Sequence, residues 1–229
     1  MMYMYQNLKM IITEDGSHTI YLPEMNENYH SVHGAISESL HVYIRSGFSY
    51  HPARKVSILE IGFGTGLNVL LTLLQAREEK REVIYHSVDT YILPADVTDN
   101  LNYGSFYNLF SGGTDPNWFK MIHESSWDKE HQISEFFLLK KSQADVKKIE
   151  LTHKYDIVFF DAFGPDKQPD MWTDYIFRKI FNAMNPGSIM TTYSSKGEVR
   201  RKLEKSGFMV TRIPGPAGKR EMLRCFRKE

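Results

Sequence analysis

The spacing of hydrophobic positions changes several times along the chain, and each change predicts an element. Residues 8–22, LKMIITEDGSHTIYL, alternate apolar and polar on either side of Asp15-Gly16, which predicts a β-hairpin turning at the glycine. Residues 35–47, AISESLHVYIRSG, carry apolar residues at helical spacing and end on Gly47, a helix-stop signal. Short apolar runs follow at Val56–Ile61, Val83–Asp89, Ile133–Leu139, Tyr155–Asp161 and Ser188–Tyr193, each of a length suited to a buried strand. Between them, Leu67–Glu79, Asp174–Met184 and Lys196–Ser206 have helical periodicity, the last capped by Gly207. Two more strands, Phe208–Ile213 and Glu221–Phe226, flank a Pro/Gly turn.

Strands that alternate with helices predict a mostly parallel sheet covered on both faces. The final pair has too short a connection for a parallel crossover, so one terminal strand must run antiparallel. The expectation is a seven-stranded α/β sheet in a single domain spanning residues 1–229. Residues 1–50 form a hairpin-and-helix extension and residues 51–229 the core. The stretch from Asn102 to Trp127, rich in Gly, Asn, Ser and aromatics, fits no element and reads as an insertion over the site.

Composition narrows the class. The 229 residues are 41% hydrophobic and 24% charged, as in ordinary globular domains. No apolar run is long enough for a membrane helix, and the N-terminus lacks signal-peptide features. Cys225 is the only cysteine, which excludes an intrachain disulfide. These features point to the cytoplasm. The 28 basic and 28 acidic residues balance, but not evenly: Lys196–Glu229 holds 11 Lys/Arg against 4 Asp/Glu, a balance of +7. A basic C-terminal quarter suits a polyanionic partner, although basic residues also gather on ordinary solvated helices.

The candidate chemistry begins at ILEIGFGTG, residues 58–66. A glycine turn after a strand lets a ligand approach the backbone and the next helix N-terminus. The dinucleotide fingerprint G-x-G-x-x-G would need glycine where Leu67 stands, which disfavours a nicotinamide cofactor. The spacing is instead G-x-G-x-G, with Glu60 just ahead of it. An acidic residue suits the cationic sulfonium and ammonium of S-adenosylmethionine (SAM), and Asp89 at the end of the next strand suits its ribose hydroxyls. Together these features resemble the Rossmann-like class I SAM-dependent methyltransferases, whose sheet also carries a reversed last strand.

Four segments sharpen the resemblance. DAFGPDKQPDMW (161–172), ILEIGFGTGLN (58–68), TYSSKGEVRRKLEKSGF (192–208) and GKREML (218–223) are similar to the corresponding motifs of the MnmC-type tRNA methyltransferases. That family makes 5-methylaminomethyl-2-thiouridine at the tRNA wobble position. The likeness runs from about Tyr29 to the C-terminus and is weakest between residues 100 and 150. Gly164 replaces the family's alanine, and LLKKSQAD replaces a Gly-Asp that contacts adenine, which leaves Ser142 and Asp145 as stand-ins.

The resemblance implies a stand-alone methyltransferase domain that uses SAM, with neither metal nor FAD, and a separate oxidase upstream in the pathway. Its partner would be the anticodon region of tRNA, and no membrane is involved. Gly62, Phe63, Gly64, Thr65, Gly66, Asn68, Glu60 and Asp89 would hold SAM, with Tyr29 and Glu38 closing over its methionine end. Asp161 is the catalytic candidate: a carboxylate beside the methyl group can accept an N–H of the amine and aim its lone pair. Phe163 and Trp172 could stack on the base, Pro165 would stiffen the loop, and Lys196, Arg200, Lys219 and Arg220 would meet phosphates. His30 and His33 lie at i, i+3 but lack a third residue at metal-ligand spacing. Two other readings share the fold: methylation of a small free amine, and non-catalytic binding of SAM and RNA.

Overall fold

A computed structural model of the chain describes residues 7–109 and 117–228. An N-terminal sheet of β1 (Lys9–Ile12), β2 (His18–Leu22) and β3 (Glu27–Asn28) is antiparallel in the order β1-β2-β3. Its first turn is the expected hairpin, with Gly16 at φ 81°. Helix α1 (Ala35–Ser39) then widens into a π-helical stretch, Leu40–Phe48, in which Ser49 N–H reaches back five residues to the Ile44 carbonyl at 2.8 Å. Gly47 does not stop this helix. It lies within the π stretch, where a Cβ would come within 2.9 Å of the Phe159 ring.

The main sheet contains β4 (Lys55–Ile61), β5 (Glu82–Asp89), β6 (Glu130–Ser134), β7 (Phe137–Gln143), β8 (Tyr155–Phe160), β9 (Met184–Thr192), β10 (Met209–Pro214) and β11 (Glu221–Phe226). Their spatial order is β10-β11-β9-β8-β4-β5-β7-β6. Strands β7, β5, β4, β8 and β9 are parallel, and the last strand, β11, lies antiparallel between β9 and β10. The sheet has one strand more than the seven expected. The run around residues 133–139 folds back at Glu135-Phe136, so that β6 pairs antiparallel with β7. That turn contains neither Gly, Pro nor Asn and gave no signal in the sequence.

Alternation along the central strands feeds two apolar layers. Ile58, Ile157 and Phe159 face α1, its π extension and α2 (Leu67–Glu79). Leu59, Val158 and Phe160 face α5 (Asp174–Ala183) and α6 (Gly197–Lys205). Burial on both faces is why these strands read as unbroken apolar runs. Gly207 caps α6 at φ 106°, a conformation that suits glycine. Among the described residues no helix is long and apolar enough to cross a membrane.

Two short helices, α3 (Ala95–Thr98) and α4 (Trp118–Glu124), precede β6, with a 3₁₀ stretch at Tyr103–Leu109 between them. The described part of the unassigned region does not cover the site. Tyr103 donates its hydroxyl to the His18 carbonyl at 2.6 Å, and His123 of α4 meets the Thr65 carbonyl at 3.1 Å behind the glycine turn. Residues 110–116 of that region lie outside the described residues. The buried Lys141 ammonium donates to the Ile122 and His123 carbonyls at 2.6 and 3.0 Å, which ties the end of α4 to β7. Burial pushes its pKa down to about 8.

Candidate active site

At the carboxyl ends of β4, β5 and β8 a cleft of about 430 Å³ opens, the position where open α/β sheets bind ligands. Backbone bonds hold its floor together: Gly62 N–H to the Val88 carbonyl and Asp161 N–H to the Ile61 carbonyl, both at 2.9 Å. Gly62 has φ 99°, and a Cβ there would lie 2.5 Å from the Asp161 carbonyl oxygen. Gly64, at φ 51°, faces the Tyr29 ring, 3.1 Å from where a Cβ would sit. The glycines thus form a cradle that side chains would fill.

Asp89 accepts from Gly64 N–H at 3.0 Å and from Tyr91 N–H at 2.9 Å. Its carboxylate fixes the glycine turn and lines the cleft, as do Gly62, Phe63, Gly64 and Asn68. Burial raises its pKa. Ala144 and Val146 form the wall beyond it. The adenine stand-ins are elsewhere. Ser142 is buried against His86 Nε2 at 3.0 Å, and Asp145 Oδ1 accepts from Lys147 N–H at 2.9 Å. That side of the cleft is apolar rather than acidic.

The cradle, the adjacent carboxylate and the apolar wall fit SAM. Three expected SAM contacts do not line the cleft. Glu60 is fully buried under the turn, where Ser87 donates its hydroxyl to Oε2 at 2.5 Å. Its side chain lies on the same face of β4 as Ile58, toward α2, with Ser87, Asn68 and Tyr85 around it. Burial pushes its pKa up to about 8, with the nearby charge of Asp161 adding to the effect. Thr65 turns away to His30 Nε2 at 2.6 Å, and Gly66 packs against His123 and Phe63. His33 meets Glu14 at 2.9 Å, so the two histidines serve different contacts. Among the described residues no group of three or more His, Cys, Asp or Glu could hold a metal ion.

On the other side of the cleft, Asp161 is held at both oxygens. Tyr43 donates its hydroxyl to Oδ1 at 2.5 Å and Asn68 donates Nδ2–H to Oδ2 at 2.8 Å. Burial pushes its carboxyl up to about 7. The Glu38 charge adds to this, while the Tyr43 and Asn68 bonds and Lys219 oppose it. Burial and the same carboxylate raise the Tyr43 pKa, so the phenol stays a neutral donor. Tyr43 was missed in the sequence because it lies 118 residues from its partner, on a π-helical turn that local periodicity does not reveal. Tyr43→Phe is expected to slow methyl transfer roughly tenfold at neutral pH and to move the acidic limb of the rate profile upward by about one pH unit, since it removes a bond to the charged carboxylate. A pH–rate comparison of the two proteins checks this.

Glu38 and Tyr29 do line the cleft, but Glu38 is already engaged. It accepts from Ser31 N–H at 2.8 Å and from Lys219 Nζ at 2.6 Å. Lys219 also sits 4.1 Å over the Tyr193 ring, so it is a cleft residue rather than a surface phosphate contact. Tyr29 meets Phe163 edge-on, ring centroids 5.0 Å apart.

Phe163 lines the cleft, but Trp172 does not. It is buried against Phe160 and Phe177, and its Nε1–H donates to the Phe163 carbonyl at 2.8 Å. The tryptophan therefore braces the loop instead of stacking on a ligand, because its indole completes the apolar layer above α5. Pro165 is likewise buried and off the cleft. Lys196 pairs with Asp166, and Arg200 pairs with Glu204 at 2.9 Å. Arg220 is exposed.

Residues 117–228 match the family model of S-adenosyl-L-methionine-dependent methyltransferases. The bifunctional protein MnmC of Nitrosospira multiformis, named for tRNA 5-methylaminomethyl-2-thiouridine biosynthesis, is 30% identical over 215 residues, covering 89% of this chain and 34% of that protein. Its counterpart from Burkholderia thailandensis is 28% identical over 227 residues, covering 93% and 34%. The chain thus spans about a third of the length of the curated relatives it matches. The crystal structure of MnmC2 from Aquifex aeolicus superimposes with a TM-score of 0.76 at 27% identity, covering 97% of this chain and 71% of that one. Spermidine synthase from Thermotoga maritima shares the fold, with a TM-score of 0.62 at 11% identity, covering 99% and 72%.

Proposed function

We propose that this chain, whose residues 117–228 match the S-adenosyl-L-methionine-dependent methyltransferase model and which is similar to MnmC over 89% of its own length, methylates the primary amine of 5-aminomethyl-(2-thio)uridine at the wobble position of tRNA. The product is the 5-methylaminomethyl nucleoside. The observation that carries the reading is Asp161, held by Tyr43 and Asn68 in the same cleft as the glycine cradle. Bound SAM would supply an electrophilic methyl carbon, whose bond to sulfur breaks as the bond to the amine nitrogen forms, the thioether S-adenosylhomocysteine being the leaving product. Gly62, Phe63, Gly64, Asp89 and Tyr29, which line the cleft, would hold SAM.

An alkyl amine reaches the cleft as an ammonium, whose nitrogen has no lone pair. Glu27, Glu38, Asp89 and Asp161 line the cleft and attract that cation. Asp161, with its pKa near 7, takes an N–H proton and keeps the nitrogen aimed, the range in which a general base works best at neutral pH. Phe163 offers a face to a base turned out of its stack. Lys196 and Arg200, once their surface ion pairs exchange at little cost, and the exposed Arg220 offer cations to the RNA backbone. A tRNA substrate implies a cytoplasmic enzyme, and its aminomethyl group calls for an oxidase-type step upstream.

The acidic lining also favours a second reading, methylation of a small free polyamine. Methyl transfer to tRNA carrying the 5-aminomethyl nucleoside, run beside a panel of small amines, separates the two. Incorporation into tRNA alone supports the first, and activity confined to the small amines overturns it.

A further inference from the structure

Building on the tRNA reading, we infer that Gln168 reads the pyrimidine edge next to the reacting amine and selects a carbonyl at ring position 4. Gln168 lies on the loop between β8 and α5 and lines the cleft. Its Oε1 accepts the Phe163 N–H at 3.1 Å. An amide N–H bonds only to an acceptor, so this contact turns Oε1 to the Phe163 backbone and leaves Nε2 for the cleft. Nε2 carries two N–H groups and has no hydrogen-bond partner among the described residues.

The placement suits the substrate. In the acceptor nucleoside the aminomethyl group is on ring carbon 5, and carbon 4 is its immediate neighbour. The group that reads position 4 must therefore sit beside the group that handles the amine. Phe163 joins the two: it follows Asp161 by two residues, its N–H is bonded to Gln168, and its ring offers the stacking face. The loop is stiff here, with Lys167 and Gln168 N–H both bonded to the Gly164 carbonyl at 2.8 and 2.9 Å and Trp172 anchored to Phe163.

A donor-only edge discriminates by chemistry. Uracil presents a carbonyl oxygen at position 4 and accepts from Nε2. Cytosine presents an amino group, which sets donor against donor and leaves the glutamine N–H unpaired. The cationic donor Lys219 of the same cleft is engaged by Glu38 and the Tyr193 ring. The expected preference is roughly 10- to 100-fold for uridine over cytidine.

Anticodon stem-loop oligonucleotides carrying 5-aminomethyluridine or 5-aminomethylcytidine at the wobble position test this, both by equilibrium binding and by methyl transfer. Wild-type protein is expected to favour the uridine form by the margin above. Gln168→Glu keeps an acceptor for Phe163 N–H and replaces the inward donor with an acceptor, so the uridine/cytidine ratio should fall at least about tenfold. Gln168→Leu should bring the ratio close to one. SAM affinity, measured calorimetrically, should stay unchanged in both variants. Equal use of both oligonucleotides by the wild type overturns the inference, as does a variant that loses both substrates in parallel while keeping their ratio. If the wild type methylates small amines but neither oligonucleotide, the tRNA reading fails and the base-reading role falls with it.

Discussion

Asp161→Asn is expected to lower the methyl-transfer rate roughly a hundredfold or more at neutral pH while SAM affinity changes by less than about twofold. The asparagine keeps the volume and an acceptor for Tyr43, but it cannot take a proton and it turns a donor toward Asn68. In the wild type the rate should rise with pH through about 7, because the carboxyl is pushed up to that value by burial and only its charged form accepts the amine proton. In the variant that limb should vanish. Single-turnover rates across pH 5–9, with calorimetry for SAM, make the check. A rate within about threefold of wild type would reduce Asp161 to a cap on the end of β8.

The second large effect concerns Glu60. Its side chain is fully buried; Oε2 accepts from Ser87, and Asn68 and Tyr85 lie beside the carboxyl and favour its charged form, but burial outweighs all three. Burial therefore favours the proton-bearing carboxyl over the charged one. The pKa raised from 4.5 to about 8 expresses the same preference. Its sign is definite: the folded state binds this proton more tightly than the unfolded chain. The associated stability is complete below about pH 4.5 and is lost as pH climbs through about 8.

Glu60→Gln removes that loss and places an N–H₂ where the proton would be. It should stabilise the protein by about 2–3 kcal/mol at pH 8, raising Tm by roughly 5–10 °C, and change little at pH 5. Melting curves at the two pH values check it. A variant less stable at pH 8 would mean that Glu60 is held as a charged group. Because Glu60 does not line the cleft, SAM affinity should survive the change.

These two carboxylates illustrate what the sequence made legible. The central strands were readable because burial on both faces leaves near-continuous apolar runs, as at Ile157–Phe160, and the glycine turn was readable because Gly62 and Gly64 occupy conformations other residues resist. Asp161 stood out as a charge at a strand end. The side-chain directions around it were not legible. Glu60 and Asp161 both sit near strand ends, yet one is packed beneath α2 and the other opens into the cleft. Trp172 looked like a stacking platform because it follows a polar loop, but its indole completes the core. Tyr43 on Asp161 and Lys219 on Glu38 are contacts between positions 118 and 181 residues apart, which no local pattern encodes. The β6–β7 turn was hidden because Glu135-Phe136 carries no turn chemistry.

The most direct test of the central claim is nucleoside mass analysis of tRNA from cells that lack this protein. The account predicts that the 5-aminomethyl nucleoside accumulates, that its 5-methylaminomethyl form disappears, and that wild-type protein restores the methylated form whereas Asp161→Asn does not. An unchanged wobble-nucleoside profile in those cells would contradict it.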